Sequence, residues 1–189
     1  GAIMFRRFIC VTVFLLGILG ATLSEAAIMF TFADATGSPA STFEINGVGG
    51  TVDVQVFLTD TDGAGGLLDI EGLGSIDFEV NEVPTSPDMF HVNAVTVNPE
   101  FDMFDPLLDL ALLPDNTALR LSSLFGNPIG SSIHLATLTF VGDSVGVAGI
   151  QATNASNVFT LFSPATEISS VADASATITV KSSQNVIPE

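Results

Sequence analysis

Cysteine is nearly missing: Cys10 is the only one in 189 residues. It opens an apolar run instead of following one, so it is not placed as a lipoprotein cysteine would be, and it leaves with the leader described below. What remains has no disulfide, no thiolate nucleophile and no cysteine metal ligand, so stability has to come from burial. Tryptophan and tyrosine are absent altogether. That removes the flat amphipathic rings on which sugar-binding modules usually stack their ligands, and the phenylalanines, Phe78 and Phe140 among them, sit mostly at inward parities. Cations are scarce too, four Lys and Arg against 21 Asp and Glu. A surface of that sign repels phosphate backbones and anionic lipids, which argues against nucleic acid and membrane surfaces as partners. Charged residues are nonetheless only 13% of the chain, with Ala, Val, Ser, Thr and Gly filling the rest. This is the composition of an exported folded protein and not of a disordered acidic tail.

The first segment has a purpose of its own. "MFRRFICVTVFLLGILGATLSEA", from Met4, carries Arg6 and Arg7, then an apolar run over 8–23, then Ser24, Glu25 and Ala26. A positive start, an apolar stretch and a small-residue cleavage site describe a secretory signal peptide over 1–26. The run is short for a membrane span. Cleavage after Ala26 makes Ala27 the first mature residue, and Gly1, Ala2 and Ile3 read as an expression scar or upstream read-through. The mature chain keeps Arg120 and Lys181 as its two cations and loses only Glu25 of the 21 acids, which leaves a net charge of −18.

Beyond the leader, period-two alternation dominates. "TVDVQVFLT" sets Val52, Val54, Val56 and Leu58 on one face, with Asp53, Gln55 and Thr59 on the other. "SIDFEV" sets Ile76, Phe78 and Val80 inward, with Asp77 and Glu79 outward. These are half-buried antiparallel strands. Further strands are expected over 28–34, 91–98, 118–124, 133–142, 145–153, 158–162 and 174–180, separated by Gly, Pro, Asn and Asp clusters that suit turns. About nine strands at fairly even spacing predict an all-β antiparallel sandwich of jelly-roll type, with one domain over 27–181. "MFDPLLDLALL" at 103–113 breaks the pattern with apolar residues at helical spacing, and a short helix or buried loop is expected there. "KSSQNVIPE" is polar, and 182–189 read as a linker.

"DTDGAGGLLDIE" at 60–71 fits the twelve-residue calcium loop of an EF-hand in register: Asp60 at position 1, Asp62 at 3, Gly65 at 6, Leu67 at 8 and Glu71 at 12. Its flanks are strands, whereas that motif needs helices. Positions 5 and 9 are Ala64 and Leu68, which offer no side-chain oxygen. Asp60, Asp62 and Glu71 are therefore candidate ligands of a weak calcium site at most. The alternative is a connection between paired strands in which Asp and Gly serve turn geometry and Leu67, Leu68 and Ile70 tuck onto the core.

No other residues assemble into a reactive centre. His91 and His134 each stand alone in a strand, where histidine is usually structural or solvent-facing. Gly-x-Ser-x-Gly, P-loop and His-Glu-x-x-His patterns are all absent. "GVGG" at 47–50 reads as a turn. The Asp77/Glu79 pair resembles a glycosidase dyad in principle, but an exposed alternating strand face is the expected account of it.

Taken together, "VDVQVFL" (52–58), "GSIDFEV" (74–80), "IHLATLTFVG" (133–142) and "VGVAGIQATN" (145–154) resemble, in order and pattern, the cohesin-like (carbohydrate-binding-module-like) β-sandwich over most of 28–180. The acidic loop at 60–73 and the 103–113 segment depart from that pattern, and no residue carries dockerin binding across. At the other end Val186, Ile187, Pro188 and Glu189 resemble the start of the Val-Pro-Glu-Pro signature of PEP-CTERM proteins, with the apolar span and basic cluster of such tails still to come. That likeness implies a bacterial exported protein, an exosortase-type sorting partner, and residence in the envelope, at the cell surface or in the extracellular matrix. The membrane is then met only through the signal peptide and a tail beyond Glu189. The expected function is non-enzymatic adhesion or matrix assembly, with extracellular polysaccharide or other matrix proteins as partners. The alternative is a calcium- or carbohydrate-binding module, calcium being the one cofactor considered.

Overall fold

The computed structural model describes residues 28–83, 89–101, 103–106, 116–122, 128–160, 168 and 170–182. Alternating sequence becomes alternating burial in two stacked sheets. The strands are β1 (Ile28–Ala33), β2 (Thr42–Asn46), β3 (Thr51–Asp60), β4 (Leu73–Val83), β5 (Phe90–Val97), β6 (Met103–Pro106), β7 (Asn116–Ser122), β8 (Ser132–Gly142), β9 (Gly146–Thr160), β10 (Val171–Ala172) and β11 (Ala174–Lys181), with one helix, α1 (Leu67–Glu71). One sheet runs β10-β1-β3-β8-β5 and the other β2-β11-β9-β4-β7-β6. All pairings are antiparallel except β1 with β10 and β11 with β2.

The core is the sum of the inward parities. Val54, Val56 and Leu58 of β3 and Ile76, Phe78 and Val80 of β4 are all buried in the one core. Phe30 and Phe78, one from each sheet, hold their ring centroids 5.9 Å apart. Phe90 meets Phe140 edge-to-face at 5.4 Å, an arrangement that favours aromatic pairs beyond simple burial. The sheets close tightly where β8 ends. A β-carbon on Gly142 would lie 2.8 Å from Val180 Cγ1 and 3.1 Å from Ile45 Cγ2, so only glycine leaves the two layers in contact there.

Four sequence expectations change. Of the 103–113 segment, where a short helix or buried loop is expected, the described part, 103–106, is not helical. Met103–Pro106 is an edge strand paired with β7, and 107–115 lie outside the described residues. Sheet pairing overrides the helical spacing, and Pro106 is tolerated because it ends an edge strand. The helix among the described residues is inside the acidic loop, and there Ile70 is 63% exposed while Leu68 is fully buried. A five-residue helix presents one side to the core, and Ile70 falls on the other. Asp77 is not on a wet face: it is only 4% exposed. Ile76 pairs with Val158 but Phe78 with Asn154, so the β9 backbone over 155–157 stands opposite Asp77 alone and crowds it. Finally, 145–153 and 158–162 are not two strands. β9 runs unbroken from Gly146 to Thr160 by absorbing that irregularity as a bulge. With β2, β6 and β10 added, the strands among the described residues number eleven.

Candidate functional site

The acidic loop is built around one carboxylate. Asp60 ends β3 at an inward parity and is only 2% exposed. Its Oδ1 accepts the Asp62 N–H at 3.0 Å and its Oδ2 accepts the Leu68 N–H at 3.2 Å. The second bond caps the first turn of α1, whose own N-cap residue, Gly66, has no side chain to do so. Orphan amides and a positive dipole end both favour a carboxylate at that place. A β-carbon on Gly66 would lie 2.3 Å from Asp60 Oδ2, so Gly66 makes room for the cap. Asp69 reaches back in the same way, its Oδ2 accepting the Gly65 N–H at 2.9 Å. The loop is then tied to the 128–131 segment: Asp60 N–H donates to the Ser131 carbonyl (2.8 Å), Leu73 N–H to the Pro128 carbonyl (3.0 Å) and Gly130 N–H to the Leu68 carbonyl (3.3 Å).

This accounts for the three candidate calcium ligands. Asp60 and Asp62 are brought together, but as an acceptor and the amide it receives. Asp62 is exposed, and Glu71 closes the far end of α1. Among the described residues no three His, Cys, Asp or Glu side chains converge as a metal site needs. Val186, Ile187, Pro188, Glu189 and the 1–26 leader lie outside the described residues. Among those described, no helix is long and apolar enough to cross a membrane.

The histidines are placed by their strands. On β5, His91 Nδ1 lies 2.7 Å from Asp143 Oδ2, tying the strand to the β8–β9 turn. On β8, His134 packs its ring against Phe57 of β3 with centroids 5.1 Å apart, and its Nε2 is 3.2 Å from Thr137 Oγ1. Burial pushes the His134 imidazole below its ordinary 6.5, opposed by a hydrogen bond with the Ala136 backbone. The unfolded chain therefore takes the proton first. This contribution to stability is complete above about pH 6.5 and is lost as the pH falls below it. Urea melts between about pH 7.5 and pH 5.5 should show a falling midpoint whose slope flattens in His134→Gln. Asp34 acts in the same sense at lower pH, through bonds that favour its charged form. Bonds from the Thr36 hydroxyl, the Thr36 N–H and the Ser38 N–H hold its carboxyl below the usual 3.8, so its contribution is present above that pH and lost in stronger acid.

The two outer faces differ. The six-stranded sheet presents Glu44 and Glu79, together with Val83 (38% exposed) and Val147 (58% exposed). At its β2-β11-β9 end, Asn46, Val145, Val147, Thr179 and Lys181 line an open groove of about 830 Å³. Lys181 Nζ is 2.5 Å from Glu44 Oε2, an exposed pair of the kind worth only about 0–1 kcal/mol. The five-stranded sheet presents hydroxyls. Thr31 Oγ1 is 2.9 Å from Thr59 Oγ1, which is 3.1 Å from Ser132 Oγ. Its acid Asp53 is engaged by the Thr139 hydroxyl at 2.7 Å. Phe57 lies on this face at the parity of Asp53, Gln55 and Thr59. The alternation of β3 contained that signal, although the sequence reading assigned the phenylalanines mostly inward.

No family model matches the chain. No curated protein matches it either. Solved structures do. The fold is similar to the seventh ScaB type I cohesin from Pseudobacteroides cellulosolvens, with a TM-score of 0.61 at 12% identity over 86% of this chain and 97% of that one. It is similar to a non-cellulosomal cohesin from the hyperthermophilic archaeon Archaeoglobus fulgidus, with a TM-score of 0.56 at 13% identity over 84% and 94% of the two chains. It is also similar to the Coh-OlpA–Doc918 type I cohesin–dockerin complex from Clostridium thermocellum, with a TM-score of 0.56 at 11% identity over 82% and 99%. At such identities the likeness is one of fold, and that fold is the cohesin-like β-sandwich that the resemblance in sequence implied.

Proposed function

We propose that this domain is a non-enzymatic protein-binding module of an exported bacterial surface or matrix protein, acting in adhesion or matrix assembly. The observation that carries the reading is the sandwich shared with cohesins along more than four-fifths of the chain, one neighbour having been solved in a cohesin–dockerin complex. The outer face of the six-stranded sheet suits a protein partner. It carries exposed Val83 and Val147 together with the carboxylates Glu44 and Glu79, apolar and polar groups of the kinds that protein interfaces combine. Its charge would steer a basic partner and set register more than it would add affinity. A dockerin-type module is the first partner to try. Export through 1–26, and sorting by an exosortase-type system through Val186, Ile187, Pro188 and Glu189, belong to the same proposal and rest on the sequence pattern.

Calorimetric titration of residues 27–181 with a panel of dockerin modules tests it. The expected result is saturable binding to at least one, weakened about tenfold or more by Glu79→Arg, a loss of about 1.4 kcal/mol or more. Failure of every module to bind, or equal binding by the variant, removes the dockerin-type reading of this face.

A further inference from the structure

We infer that the opposite face, the outer surface of the five-stranded sheet centred on Phe57, binds a neutral polysaccharide chain. Of the phenylalanines whose side chains are described, Phe57 alone is not buried. Half-buried on the outer face, Phe57 forgoes the full burial that every other described phenylalanine achieves, so its place needs a reason. The ring is also held in position, packed against His134, which is itself fixed to Thr137.

What surrounds the ring decides the ligand class. Thr31 stands opposite Phe57 on β1, and the connected hydroxyls of Thr31, Thr59 and Ser132 run along one side. Gln55 and Thr137 face each other on the other side. Each hydroxyl, amide and imidazole can both donate and accept, as a sugar's hydroxyls can. An aromatic face amid such groups is what a pyranose ring recognises, its C–H side on the ring and its O–H edge on the polar atoms.

Charge narrows the choice further. No carboxylate or ammonium lies among these residues, although the chain carries a net charge of −17. The acid on this face of β3, Asp53, already accepts from Thr139. The molecule's field repels uronate-bearing polymers and nucleic acid alike. A second copy would bring two strongly acidic molecules together. A peptide groove would need more apolar surface than one ring supplies. The ligand these features leave is an uncharged glycan strand lying across β1, β3 and β8.

Native gels cast with a neutral polysaccharide (hydroxyethylcellulose or galactomannan) or with anionic alginate provide the test. The protein should be retarded by at least one neutral polymer and not by alginate. Phe57→Leu, which keeps apolar bulk but no ring, should weaken retardation about tenfold with its melting temperature nearly unchanged. Glu79→Arg, on the far face, should be retarded like the parent, which separates failure here from failure of the protein-binding reading. Should Phe57→Leu fail to fold, amide and methyl shifts of the unmodified protein on adding cellohexaose or mannohexaose replace it. They should move at Thr31, Thr59 and Thr137 and stay fixed at Thr153 and Thr179. No retardation in either neutral polymer, retardation by alginate, a Phe57→Leu protein retarded like the parent, or shifts absent or confined to the other face would each overturn the inference.

Discussion

Replacing Phe78 with alanine is expected to destabilise the domain by about 3–5 kcal/mol, the usual loss when a fully buried phenylalanine leaves a cavity behind. Phe78 has no exposed surface and meets Phe30 from the opposite sheet, so both layers lose a contact. Domains of this kind are stable by only about 5–15 kcal/mol, and each kcal/mol moves the midpoint by roughly 2–4 °C at this size. The melting temperature should therefore drop by about 6–20 °C. Phe57→Ala is the control within one residue type. On an outer face it should cost about 1 kcal/mol or less. Thermal melts of the two variants check both numbers. Equal losses would mean that β3 is not inserted in the register described.

The second large effect concerns the acidic loop. Asp60→Ala takes away the acceptor of two backbone amides, one of them in the buried first turn of α1. Hydrogen bonds to a charged group contribute about 1.5–3 kcal/mol each, and the expected cost is about 3 kcal/mol. Gly66→Ala should be comparably harmful, because its β-carbon would occupy the space of the Asp60 carboxylate. The pair separates this account from a general loss of loop structure. Once Asp60 is alanine, the methyl group that Gly66→Ala introduces has nothing to displace, so the double variant should cost clearly less than the sum of the two singles. Denaturant titration of the four proteins measures that coupling. Calcium supplies an independent check, since a ligand of the folded state alone raises its stability. With Asp60 spent on backbone amides, millimolar calcium should leave the melting temperature unchanged. A rise that disappears in Asp62→Asn and Glu71→Gln would make the loop a metal site.

These loop details could not be read from the sequence. The register of Asp60, Asp62, Gly65 and Glu71 suits a cation loop and a capped turn equally well, and only the inward parity of Asp60 at the end of β3 favours the cap. Strands with one wet face were legible because a two-residue period is hard to produce by any other structure, and β1, β3, β4, β5, β8 and β11 fall where it placed them. β2 was missed because "TFEIN" offers only Phe43 and Ile45 between Gly- and Pro-rich turns. It is held by β11, more than a hundred residues away, and such pairing leaves no local trace. Residues 103–106 misled for the same reason, their strand being set by β7 and not by their own apolar spacing. Asp77 looked exposed because alternation reports which face a residue is on. It does not report that a bulge in β9 will cover that face. Phe57 is the opposite case: its parity was plain in the sequence, and its importance emerged only once every other described phenylalanine proved to be inside.

The account as a whole requires two stacked sheets, with Phe30 and Phe78 meeting between them and the ligand faces turned outward. Nuclear Overhauser contacts in the ¹³C-labelled domain test this directly. Ring protons of Phe30 and Phe78 should show mutual cross-peaks, and the Gly142 α-protons should show them to the Val180 methyl groups, while Phe57 should be connected to His134 and to neither inward ring. Helical carbon shifts across 51–60 and 73–83, with no contact between Phe30 and Phe78, would contradict it.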